Sequence, residues 1–132
     1  MAVGLLLITY QGIGSTMLQA ATRLHGNMPM KAIALELRFD GTPEATQSGT
    51  GAYQALRQVD SEDGVLILTD LYGAAPAHLA KQVTELGTPC RRVSGLSLPM
   101  LLRVFNYAEQ PLDELARTAA AGGRNAVVTD DA

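Results

Sequence analysis

Two apolar runs constrain this chain more than anything else in it. Val3-Gly4-Leu5-Leu6-Leu7-Ile8-Thr9 and Val65-Leu66-Ile67-Leu68-Thr69 show none of the polar alternation of a half-exposed strand. Each must be buried on both faces, the condition of a central strand in a parallel sheet. Each leads into a glycine-containing turn, Gln11-Gly12-Ile13-Gly14 in the first case and Leu71-Tyr72-Gly73 in the second, and then into a helical pattern. Sites in open α/β sheets gather beyond the carboxyl ends of such strands. Thr9-Tyr10 and Thr69-Asp70 are therefore the first places to look for function.

The remaining segments fit the same alternation. Ile13–His25 reads as a helix, with Met17, Leu18, Ala21 and Leu24 at helical spacing and Gly26 and Pro29 as stop signals. Ala32–Leu37 reads as a strand, Asp40-Gly41-Thr42-Pro43 as a turn, and Glu44–Val59 as a helical stretch that starts late because Gly49 and Gly51 weaken its middle. Asp60–Gly64 is a turn, and Pro76–Leu86 a helix with its proline in the first turn, ended by Gly87. Arg91–Val93 is a short strand, and Leu98–Tyr107 and Pro111–Ala121 are helices, the second closed by Gly122-Gly123. Asn125–Val128 is read as a short final strand before a frayed tail. Strands alternating with helices predict an α/β fold, three-layered and doubly wound, with right-handed crossovers. Residues 1–132 are read as a single domain without linker or repeat.

Composition limits the classes of function. With 47% hydrophobic and 17% charged residues the chain is a globule rather than a disordered segment. A net charge of −3 gives no general attraction to nucleic acid or to an anionic membrane. Arg91, Arg92 and Arg103 are candidates for a local basic patch, although solvated surface charge is the simpler reading. Cys90 is the single cysteine, so no intrachain disulfide forms, which suits a cytoplasmic setting. One cysteine and two separated histidines make no zinc pattern, and no metal or cofactor is expected. No apolar run has the length of a membrane span, and Val3 to Ile8 is too short for the core of a signal peptide.

Several residues near the two strand ends could carry chemistry. Gly12-Ile13-Gly14 lacks the third glycine of a dinucleotide fingerprint and the Gly-Lys-Ser/Thr of a P-loop, so it reads as a tight turn whose amides can still face an anion at a helix N-terminus. Asp70 reads either as a cap or turn residue or as an orienting or acid-base carboxylate in the cleft. Gly73-Ala74-Ala75-Pro76 then opens a helix whose positive end faces the same cleft. His78 reads as structural or cleft-lining, and His25 as a cation at a helix end. Ser94 and Ser97, in the loop Ser94-Gly95-Leu96-Ser97-Leu98-Pro99-Met100, offer hydroxyls at the same sheet edge.

Taken together and in order, four blocks resemble the mannose-type (mannose/fructose/sorbose) enzyme IIA domain of the bacterial phosphoenolpyruvate-dependent sugar phosphotransferase system. They are Leu7-Ile8-Thr9-Tyr10 with Gly14, Gly64–Gly73 with Pro76, Val93–Leu101, and Pro111-Leu112-Asp113-Glu114-Leu115 with Gly122-Gly123. The third is the most specific, because the family's loop there has a Gly-Val-Asn-Leu-Pro-Met character. The resemblance implies a mainly parallel sheet with one antiparallel edge strand, here Asn125–Val128, in a homodimer.

The resemblance also implies a phosphoryl relay. A histidine after the first strand takes phosphate from the histidine phosphocarrier protein and passes it to enzyme IIB, and an aspartate after the third strand orients that histidine. Asp70 matches the aspartate, Tyr10 stands at the histidine's position, and Ala75 falls near a position that is often Ser or Thr. Gly12, Gly14, Leu71, Gly73, Ala75, Ser94 and Ser97 would surround the phosphate or the docking partner. A phenol of pKa near ~10 is a poor substitute for an imidazole near ~6.5. Relay through Tyr10 is therefore expected to be impaired, with a non-catalytic regulatory or binding module of the same fold as the alternative. A receiver domain phosphorylated on aspartate would need clustered acids near the first strand, and Val3–Gly14 has none.

Overall fold

In a computed structural model, which describes residues 2–41 and 49–131, the chain forms four strands and five helices in the order β1 (Gly4–Tyr10), α1 (Gly14–His25), β2 (Ala32–Leu37), α2 (Gly49–Val59), β3 (Val65–Thr69), α3 (Ala75–Thr84), β4 (Cys90–Ser94), α4 (Leu98–Asn106) and α5 (Leu112–Asn125). The sheet order is β2-β1-β3-β4, and every described pairing is parallel. The two continuous apolar runs take the two central places, as burial on both faces requires. The winding reverses between β1 and β3, so the crevice at their carboxyl ends is the topological switch point of the sheet.

Side-chain alternation divides the core into two layers. Leu5 and Leu7 of β1 and Leu66 and Leu68 of β3 face α1, α4 and α5, meeting Leu18, Leu101, Phe105 and Leu115. Leu6, Ile8, Val65 and Ile67 face the opposite side and pack on Leu56 and Val59 of α2 and on Ala80 and Val83 of α3. Each fully buried aliphatic side chain of this kind contributes about 1.5–3 kcal/mol. The three-layer arrangement expected from the alternation is thus present. Most boundaries fall within a residue or two of their expected positions. The helix expected over Glu44–Val59 begins at Gly49, and residues 42–48, with the Thr42-Pro43 half of the expected turn, lie outside the described residues.

The C-terminal expectation requires correction. Asn125–Val128 does not form an antiparallel edge strand: Asn125 ends α5, and Val127 and Val128 follow it at 85% and 71% exposure. Gly122-Gly123 does not close the helix either, because α5 runs through both glycines. Their role is close packing. A Cβ on Gly122 would lie 2.7 Å from Cβ of Arg103, and one on Gly123 would lie 2.9 Å from Cε of Met100. The missing side chains let α5 approach α4, and that packing outweighs the roughly 1 kcal/mol propensity penalty of each glycine.

This packing makes Gly122→Val a strong test. The added branch collides with the stem of Arg103, and urea unfolding should show a loss of about 1–3 kcal/mol. A Val at exposed, helical Arg117 should stay within about 1 kcal/mol of the unaltered chain.

Candidate functional site at the β1/β3 switch point

The ladder between β1 and β3 ends at the pair Ile8 and Thr69. One step beyond it, the Tyr10 backbone N–H donates to Oδ2 of Asp70 at 2.9 Å. Oδ1 of the same carboxylate is buried and accepts no hydrogen bond. Tyr10 and Asp70, sixty residues apart, are therefore joined through backbone and carboxylate. The Tyr10 phenol is elsewhere: its ring stacks on Phe39, with centroids 5.6 Å apart and planes at 25°. Neither oxygen of Asp70 receives the phenolic hydroxyl.

Below Tyr10, Thr9 ties the strand end to the turn. Its fully buried hydroxyl donates to the Tyr10 carbonyl at 2.8 Å and accepts from the Gly14 amide at 2.9 Å. Gly12 adopts φ +82°, a left-handed conformation in which glycine carries no Cβ penalty. The anion faced by this turn is an internal one. Glu36, near the end of β2, accepts from the Gly12 amide at 3.1 Å and from the Ser15 amide and hydroxyl at 3.0 and 2.9 Å. A carboxylate thereby occupies the positive end of α1. Partial burial of Glu36 tends to raise its pKa, but the hydrogen bonds from Ser15, Gly12 and Gly14 together hold it below the ordinary 4.5. Sequence reasoning missed Glu36. The signal was a single carboxylate in the otherwise apolar run Ala32–Leu37, at the strand's carboxyl end.

On the other side of β3 the chain repeats the device. Thr69, also buried, has its hydroxyl 2.6 Å from that of Ser94, and its carbonyl accepts from the amides of Gly95 and Leu96, both at 3.0 Å. This fixes the start of the β4–α4 loop to the strand that carries Asp70. Ser97 is used differently: its hydroxyl caps α4 by accepting from the Met100 amide at 3.3 Å. Leu71 and Tyr72 project into solvent, Gly73 turns at φ +84°, and Ala75 opens α3. Among the described residues no side chain accepts from the first amides of α3, whereas Glu36 does so at α1. Among the described residues, no three His, Cys, Asp or Glu side chains are grouped to hold a metal ion, and no helix is long and apolar enough to cross a membrane.

This fold and switch-point geometry define a class. Residues 4–120 match the profile of the EIIA-man family, described as the PTS system fructose IIA component. The chain belongs to that family and is an enzyme IIA-type component of the sugar phosphotransferase system. It is 38% identical over 55 residues to YadI of Escherichia coli (strain K12), whose name assigns it provisionally to the phosphotransferase enzyme IIA components. That match spans 42% of this chain and only 38% of YadI. The mannose/sorbose specific IIA subunit of Enterococcus faecalis superposes with TM-score 0.77 at 24% identity, covering 100% of this chain and 97% of that one. The component EIIA of Streptococcus agalactiae gives 0.78 at 18% identity, covering 98% of each. The PTS IIA protein associated with the fucose utilization operon of Streptococcus pneumoniae gives 0.76 at 20% identity, covering 99% and 97%. At these identities the three structures speak for the fold alone.

Glu36 supplies a pH-dependent prediction. Its lowered pKa means that its stabilisation is complete above the unfolded carboxylate value and is lost as the pH falls through the folded value. Glu36→Gln should cost about 1–3 kcal/mol at pH 7, measured by chemical denaturation. The gap between the two proteins should close as the pH is lowered below 4.5.

Proposed function

We propose that this chain keeps the docking and orienting framework of a phosphoryl relay while position 10 lacks a relay nucleophile. One observation carries the reading: Asp70 holds the backbone of residue 10 with one oxygen and presents a second, buried oxygen that has no partner. An imidazole at position 10 would donate one ring N–H to that oxygen. Its tautomer would then be fixed, leaving the other nitrogen's lone pair for phosphorus. Gly12 and Gly14 contribute by shaping the turn, since their amides are already engaged by Glu36 and Thr9. The uncapped N-terminus of α3, at Ala75, is the better place for phosphate oxygens.

Tyr10 cannot substitute for the imidazole. Its phenol stacks on Phe39, and neither oxygen of Asp70 receives its hydroxyl. Phosphate transferred to it would form an ester of lower transfer potential than a phosphorylated histidine, so onward transfer would run uphill. The partners in this reading are the histidine phosphocarrier protein and enzyme IIB, and the setting is cytoplasmic. A homodimer belongs to the same reading, supported by the apolar pair Val127–Val128 left exposed after α5. The second reading is a regulatory or binding module, favoured by the Tyr10–Phe39 stack, which draws the ring of residue 10 away from Asp70.

Incubation with phosphoenolpyruvate, enzyme I and the histidine phosphocarrier protein, followed by intact-mass measurement, tests the relay. The unaltered chain should gain no phosphate, whereas Tyr10→His should gain one acid-labile phosphate. A folded Tyr10→His protein that stays unmodified would favour the regulatory module, and phosphorylation of the unaltered chain at His25 or His78 would move the acceptor elsewhere. Sedimentation at micromolar concentration should show a dimer, consistent with an interface above about 1,000 Å². A monomer would remove the homodimer from the reading.

A further inference from the structure

A cavity of about 340 Å³ lies beside the carboxyl ends of β3 and β4, on the α3 side of the sheet. His78 and Lys81 line it from α3, and Arg92 lines it from β4. The two α3 residues are three apart and share a helix face. Arg92 reaches the same space because strand alternation puts it on the side of Cys90, which packs with Ala80 and Val83. Arg91 points the other way and pairs with Asp113 of α5 at 2.8 Å. His78, Lys81 and Arg92 have no such counter-charge among the described residues, and no carboxylate lines the cavity. In a chain of net charge −3, three basic side chains from two elements thus meet in one concavity whose described lining holds no carboxylate.

The floor and rim add specificity. The hydroxyls of Thr69 and Ser94 lie 2.6 Å apart, so one donates to the other. Thr69 is buried, and donation from Thr69 to Ser94 leaves no buried proton without an acceptor. The Ser94 hydroxyl proton is then available to the cavity that Ser94 lines. At the rim, Tyr72 is 86% exposed, with its ring open to a ligand. Asp70 is not among the lining residues, and its Oδ2 accepts from the Tyr10 amide on the β1 side.

We propose that this cavity binds the phosphate monoester of a small, ring-bearing metabolite. Arginine offers a planar fork for two phosphate oxygens, lysine a point charge, and Ser94 a neutral donor. The ring of the ligand covers Tyr72. The volume is near the lower end of the range of about 300–1,000 Å³ used by small-molecule sites. A metabolite-sized occupant fits this better than a macromolecular surface does. Neither Tyr10 nor Asp70 lines the cavity, although Gly73 and Ser94, which the family resemblance places around the relay phosphate, do.

Isothermal titration of the full chain at low salt with adenosine 5′-monophosphate, ribose 5-phosphate and inorganic phosphate tests the proposal. Both esters should bind saturably with one site, and inorganic phosphate more weakly. A folded Lys81→Ala/Arg92→Ala protein should lose at least about tenfold in ester affinity. Lys31→Ala/Arg117→Ala removes the same net charge elsewhere and should stay within about twofold. Tyr72→Ala should weaken the esters while leaving inorganic phosphate unchanged. The proposal fails if neither ester saturates by about 10 mM, if the control pair loses as much as the cavity pair, or if adenosine and ribose without phosphate bind as well.

Discussion

The hydrogen bond from the Tyr10 amide to Asp70 joins the two central strands where their ladder has ended and the winding of the sheet reverses. An amide at that point has no strand partner on the β3 side, and a carboxylate supplies one. A hydrogen bond to a charged group contributes about 1.5–3 kcal/mol when well made. It holds the ends of β1 and β3 in one register, so the turn before α1 and the turn before α3 open into one crevice. The buried hydroxyls of Thr9 and Thr69 extend this locking outward, one to the Gly14 amide and the other to Ser94.

Much of this was legible in the residues. The runs ending at Thr9 and Thr69 have no polar face, so their central, parallel places follow from burial alone. Their ends were identifiable as the candidate site for the same topological reason. What failed was local reading against tertiary packing. Gly122-Gly123 looks like a helix stop by propensity, yet the stems of Arg103 and Met100 occupy the space where its side chains would be. With the helix carried on to Asn125, the first residue of the expected edge strand is helical, and the residues after it join no described strand. Glu36 was missed because its partners are backbone amides more than twenty residues away, which no residue-type pattern encodes. Arg91 and Arg92 were seen as a pair, but strand alternation sends them to opposite faces, one to an ion pair and one to a cavity.

The two helices that open at the crevice are treated differently. The N-terminus of α1 is neutralised from within by Glu36, whose lowered pKa reflects those amides. The N-terminus of α3 has no side-chain cap among the described residues and begins with Ala75 and Pro76. The chain therefore spends its own carboxylate on one positive end and leaves the other to the crevice. The positive end that Glu36 does not occupy lies on the β3 side, beside Gly73, which turns at φ +84°.

The partner that Asp70 holds at position 10 is a backbone amide, which every residue except proline carries. The framework is consequently indifferent to the side chain there, and replacing that side chain leaves the interaction between β1 and β3 intact. Tyrosine and histidine codons differ at their first base, by one pyrimidine transition. A single nucleotide change can thus exchange one ring for the other at this crevice, with no intermediate that must refold. In such an architecture the ring at the crevice can be exchanged while the carboxylate that braces the two strands keeps its place.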